Sequence, residues 1–132
     1  MMAVDTNVVV RLVTADDSAQ FPLADQLFQE NHIFVGLAVL VETDWVLRTT
    51  YGFSRAAAST AMAGVCGLPQ VTVESADIVE RALDAHQVGL SFADAVHVLV
   101  AETMRATHFA TFDEYLHKRG KNIARSISVI AP

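Results

Sequence analysis

The chain has 132 residues, enough for one domain and not comfortably for two. Its 52% hydrophobic content excludes disorder, and its longest unbroken apolar stretch, Ile33 to Val41, is nine residues where a membrane-spanning helix needs about 20. Nine Lys and Arg against 15 Asp and Glu leave a net charge of −6, which on its face argues against nucleic acid, whose usual readers are basic.

In chain order, Met2 to Val4 is a short apolar run ending at Asp5 and reads as the first strand. Ala19 to Asn31 repeats apolar residues at Leu23, Ala24, Leu27 and Phe28, the one-sided stripe of a helix. Ile33 to Val35, closed by Gly36, reads as a strand, and Val39 to Tyr51 as a helix stopped by Gly52. A helix over Ser54 to Val65, a strand at Val71–Val73 and helices over Ser75 to Gln87 and Ser91 to Met104 follow. Phe109 to Phe112, ending at Asp113, and Ile127 to Ile130 complete the strands. Strands alternating with helices predict an α/β fold on a central parallel sheet, formed by a single domain over 1–132.

A lone cysteine, Cys66, excludes an internal disulfide and a Cys-rich zinc site, and reads as a small buried apolar residue. No basic n-region or long apolar core follows the first Met, so no secretory signal is expected and the cytoplasm is the expected compartment. His32, His86, His97, His108 and His117 form no i,i+4 pair and no His-x-His, so they offer no rival metal site. His97 lies three residues after Asp94, on a nearby helix face. Tyr51, Phe53 and Trp45 read as core aromatics.

The acids are distributed unusually. Asp5 and Asp113 end strands, and in α/β folds function gathers beyond the carboxyl ends of the strands. Glu42, in Ala38-Val-Leu-Val-Glu-Thr-Asp-Trp-Val-Leu47, and Asp94, in Ser91-Phe-Ala-Asp-Ala-Val-His-Val-Leu-Val100, interrupt apolar helices. A charge in such a setting is paired, binds metal, or faces solvent. Each acid also has a plain structural reading. Asp5 suits a helix N-cap, Ser91 with Asp94 matches a capping box, Glu42 suits a wet helix face, and Asp113 suits a turn. Asp44, about 200° round the helix from Glu42, is expected to face away, solvated or paired with Arg48 at i+4.

The stretch Met2-Ala-Val-Asp-Thr-Asn-Val-Val-Val-Arg-Leu12 resembles the opening of a PIN domain, in particular of the VapC-type toxins of bacterial toxin–antitoxin pairs. Val39-Leu-Val-Glu42 with Trp45-Val-Leu-Arg48 is similar to that family's second acidic motif, Phe92-Ala-Asp-Ala95 to the third, and Ala110-Thr-Phe-Asp113 to the fourth. The four stand in the family's order and rough spacing over essentially the whole chain. Glu114 departs from many relatives by adding an acid at the edge of the fourth motif.

The resemblance implies a PIN fold, a parallel sheet between helices in a three-layer α/β/α arrangement, usually homodimeric. It implies a Mg²⁺- or Mn²⁺-dependent endoribonuclease restrained by a cognate VapB-type antitoxin, acting on tRNA or rRNA and leaving 5′-phosphate and 3′-hydroxyl ends. The metal-site carboxylates carried over are Asp5, Glu42, Asp94 and Asp113. Thr111 would supply a hydroxyl to metal-bound water or a neighbouring carboxylate, while Thr6 and Asn7 order the loop under Asp5. Such a set suits the reaction. Phosphodiester hydrolysis needs an activated water and relief of charge on phosphate, hard divalent cations take oxygen ligands, and clustered acids without a cation repel.

Four of the nine bases, Lys118, Arg119, Lys121 and Arg125, fall within eight positions. They read as a solvated helix and loop, or as a guide for RNA phosphates or an acidic stretch of antitoxin. Arg11 and Arg48 are lesser candidates for phosphate or dimer contacts. Two other readings compete: a non-catalytic PIN-like module, which predicts loss of site acids, and a receiver-type phosphoacceptor domain, which needs paired acids after the first strand and a strand-ending Lys. With the four acids assigned to metal, 11 acids face nine bases, a balance of −2, so the net charge no longer excludes RNA.

Overall fold

β-Branched and apolar residues at Ile33–Val35 (β2) build the middle of a parallel three-stranded sheet, flanked by Met2–Ala3 (β1) and Val71–Val73 (β3). Met2 stands opposite Ile33, and Ile33 opposite Val71. The computed structural model describes residues 1–132, which divide into one unit of residues 1–76 and a second of residues 77–132. Parallel neighbours need long crossovers. In the first unit these are α1 (Thr6–Thr14) with α2 (Gln20–Glu30), then α3 (Leu37–Thr49) with α4 (Arg55–Cys66).

Local signals explain most helix ends. Asp5 caps α1, whose buried Thr6, Val9 and Val10 form its inner stripe. Asp17 Oδ1 accepts from the Ala19 and Gln20 N–H groups at 3.0 and 2.8 Å and starts α2. Helix α3 begins two residues before the expected Val39. Gly36 has no side chain to cap it, and Glu74, from beyond β3, accepts the Leu37 N–H at 2.9 Å instead. Gly52 adopts φ +69°, in the left-handed region that glycine enters freely, and stops the chain after α3 as expected. Ser54 caps α4 through the Ala57 N–H at 3.1 Å.

The inner stripe of α3 is Leu40, Thr43, Asp44 and Leu47, at i, i+3, i+4 and i+7. Of the two readings of Asp44, pairing with Arg48 holds: its side chain is 3% exposed and its Oδ2 accepts from Arg48 Nε at 3.1 Å. Trp45 is not in the core. One residue past Asp44, it is rotated about 100° out of the stripe and is 60% exposed. Cys66 is half-buried at the end of α4, and burial pushes its thiol up to about 11, which keeps it protonated and inert.

The second unit holds most of α5 (Ala76–Gln87), then α6 (Phe92–Thr103), β4 (His108–Ala110), α7 (Glu114–Arg119), a 3-10 turn at Gly120–Asn122 and β5 (Ser128–Ile130). Strands β4 and β5 pair in parallel, Phe109 opposite Val129. Phe92 and His86 are fully buried, their rings edge to face at 6.1 Å, and His86 Nδ1 donates to the Leu90 carbonyl at 3.0 Å. Gly120 passes so close to β5 that a Cβ there would lie 3.0 Å from Val129 Cγ2. No helix is long and apolar enough to cross a membrane.

Glu102 ties α6 to the segment before β5. Its Oε2 accepts from the Arg125 and Ser126 N–H groups at 2.5 and 2.9 Å, and its Oε1 pairs with Arg81 at 3.1 Å. Burial works against its charge, yet these backbone donors and the Arg81 guanidinium hold the carboxyl below its ordinary 4.5. A depressed carboxylate stabilises the fold above the unfolded value, and that stability is lost as pH falls through the folded one. Urea titrations should therefore show the wild-type midpoint falling on the acid side, with a shallower fall in Glu102→Gln. Parallel profiles for the two proteins would show that Glu102 contributes no linkage.

Candidate active site

In the first unit, Asp5 follows β1 with an extended backbone, and its Oδ1 accepts the Thr6 N–H at 2.7 Å. The capping role is real, and it occupies one carboxylate oxygen while Oδ2 stays available. Glu42 lies on the outward face of α3, exposed, about 200° from the buried Leu40. Asp5 and Glu42 line one pocket of about 330 Å³. Its walls also include Asn7, Val10 and Arg11 from one face of α1, and Val46, Thr50 and Tyr51 from α3 and beyond.

The second unit supplies the other two acids. Asp94 sits in the first turn of α6, where its N–H approaches Ser91 Oγ at 3.5 Å, one half of the expected capping box. Its carboxyl is pushed above the ordinary value, first by partial burial and then by the negative charge of Asp113, against a smaller lowering by His97. Asp94 thus feels the charge of Asp113, and His97, three residues on, is an exposed surface histidine that also acts on it. Asp113 does not end a strand directly. Strand β4 stops at Ala110, and Asp113 caps α7, its Oδ1 accepting the Leu116 N–H at 2.9 Å. Thr111 Oγ1 accepts the Asp113 N–H at 3.0 Å, which fixes the backbone that carries this carboxylate.

Within neither unit do three His, Cys, Asp or Glu side chains converge as metal donors; each unit supplies a carboxylate pair. The donor chemistry fits a hard divalent cation. All donors are carboxylate oxygens, and a cation would offset both causes that raise Asp94, its burial and the charge of Asp113. Lys118, Arg119, Lys121 and Arg125 are exposed on α7 and the following turn and loop, as expected of a solvated basic segment. Arg119 lies over the Tyr115 ring at 5.5 Å. Glu114 is exposed in the first turn of α7.

Residue types alone missed Tyr51 and Thr50. Tyr51 is half-buried in the pocket wall rather than packed in the core, and its hydroxyl accepts from Arg11 Nη1 at 2.8 Å. A signal existed for part of this wall: Glu42, Val46 and Thr50 repeat at i, i+4 and i+8, one helix face.

A family model described as PIN domain matches residues 2–122. A solved structure to which the chain is similar is that of Mycobacterium tuberculosis VapC20, described as a Sarcin-Ricin loop cleaving toxin. The two share 26% identity at a TM-score of 0.46, over 91% of this chain and 95% of that one. No match is found among curated proteins.

Proposed function

The chain belongs to the PIN domain family, and from that premise we propose that it is a Mg²⁺- or Mn²⁺-dependent endoribonuclease of the VapC type, inhibited by a cognate VapB-type antitoxin. The observation that carries this reading is the pairing of all four motif acids: Asp5 with Glu42 in one pocket, and Asp94 with Asp113 through their charges. The family match over 2–122 spans all four and supports reading the chain as one domain. An RNA substrate such as tRNA or rRNA, a homodimer and a cytoplasmic location belong to the same proposal.

Asp5, Glu42, Asp94 and Asp113 would hold the cation. When bound, it lowers the pKa of a water and offsets charge developing on the phosphate. The chain's own residues do the rest. The caps of α1 and α7 lock Asp5 and Asp113 by one oxygen each and leave the other to a ligand. Thr111 acts as a positioning residue for Asp113 through its backbone N–H. Glu42, exposed on α3, forms no ion pair with a base and keeps its charge for the pocket.

The test is cleavage of a structured RNA with added Mg²⁺ or Mn²⁺. Cutting should stop in EDTA, return on metal addition, and be lost in Asp5→Asn with the fold intact. Cutting that persists in EDTA or in Asp5→Asn would overturn the metal-dependent mechanism.

A further inference from the structure

We propose that Arg11 forms a phosphate-binding subsite beside Asp5 and Glu42, aimed by Tyr51 as a positioning residue; this rests on the ribonuclease reading above. Arg11 shares the pocket with both carboxylates, yet forms no ion pair with either. Its ion pair is with Asp16, at 3.6 Å. Two neutral partners hold the guanidinium as well. Nε donates to Gln20 Oε1 at 2.6 Å and Nη1 to Tyr51 Oη at 2.8 Å. Nη2 has no hydrogen bond, and the side chain is 28% exposed.

This arrangement is preorganised for an anion. A flexible cation loses rotamer freedom when it binds phosphate, whereas an arginine already anchored on two nitrogens loses less. A guanidinium to phosphate hydrogen bond is charge-assisted and among the stronger kinds. A phosphodiester entering an acid-lined pocket needs positive charge beyond a divalent cation, and Arg11 is the base in that wall. Tyr51 stands 40 residues away in sequence, so its hydroxyl sets where the guanidinium points rather than adding charge.

The experiment measures binding of a labelled single-stranded RNA oligonucleotide by full-length protein in an Asp94→Asn background, over a KCl series at fixed Mg²⁺. Losing one phosphate contact lowers the slope of log affinity against log salt by about 0.7 for single strands. Arg11→Ala and Arg11→Gln should each show that drop and bind about tenfold more weakly at low salt. In the Asp94-intact protein they should raise KM about tenfold and change kcat far less. Tyr51→Phe should keep the slope and weaken binding only severalfold.

A purely structural Arg11 would lower the melting temperature and leave the slope unchanged. That result in either folded variant overturns the assignment, and Arg11→Gln decides if Arg11→Ala does not fold. If the unsubstituted protein cuts RNA while the Arg11 variants keep slope and KM, only the subsite falls. If it cuts no RNA with metal present, the ribonuclease reading and the subsite fall together.

Discussion

Asp94→Asn should abolish RNA cleavage and at the same time raise the melting temperature of the metal-free protein. If Asp94 holds the cation as proposed, its loss slows cutting at least about a thousandfold, roughly 4 kcal/mol of barrier at about 1.4 kcal/mol per tenfold. The gain in stability has a separate origin. Asp94 is partly desolvated and faces the charge of Asp113, so its ionised form is disfavoured in the fold. Its place in the first turn of α6 favours negative charge through the helix dipole, by about 0.3–1 kcal/mol. The carboxyl still sits above its ordinary value, so burial and repulsion outweigh the dipole.

Asparagine keeps the shape and removes the charge, and the Asp94 N–H contact with Ser91 is a backbone one that survives. Adding Mg²⁺ should reverse the order. The wild type gains stability by mass action from a ligand bound only to the folded state, and the variant gains less. Melting curves with EDTA and with Mg²⁺, read beside a cleavage assay, check all three points. A lower melting temperature for Asp94→Asn in EDTA would show that the carboxylate is structural.

Phe92→Ala should cost about 3–5 kcal/mol of stability, the range for truncating a buried aromatic. That is a large share of the about 5–15 kcal/mol that holds a typical domain together. Phe92 is fully buried at the first position of α6, with an edge-to-face contact to the equally buried His86. Removing the ring leaves a void and strips His86 of its aromatic partner, although its bond to the Leu90 carbonyl remains. Phe92 is also two residues from Asp94, so cleavage should fall along with stability. Phe92→Leu should cost less than half as much. Urea unfolding checks this: the midpoint should drop sharply in Phe92→Ala with little change in slope. A midpoint shift matching less than about 1 kcal/mol would mean that the site closes up around the missing ring.

Local signals were legible in the chain. The helix caps at Asp5 and Ser91, the stop at Gly52 and the parallel α/β pattern all depend on residues a few positions apart. The two readings of Asp5 and Asp113, cap and metal ligand, prove compatible, since a carboxylate has two oxygens and each cap uses one. Strand ends were less legible. Strand β4 runs His108–Ala110 rather than Phe109 to Phe112 because its partner, 20 residues on, sets its extent. Helix α3 started early because Glu74, 37 residues away, caps it.

The family, the α/β pattern and the four ordered acids follow from residue identity and spacing along the chain, because motif order and helical period are local quantities. Spacing placed Glu42 and Asp44 on opposite faces of α3, and it paired Asp44 with Arg48. It did not say which face is buried. That depends on which neighbours pack against the helix, and packing put Asp44 inside and Trp45 outside. The Arg11–Tyr51 bond and the charge coupling of Asp94 to Asp113 have the same character. Both act across space between residues distant in sequence, where Coulomb and hydrogen-bond energies depend on separation and burial that only the folded chain sets.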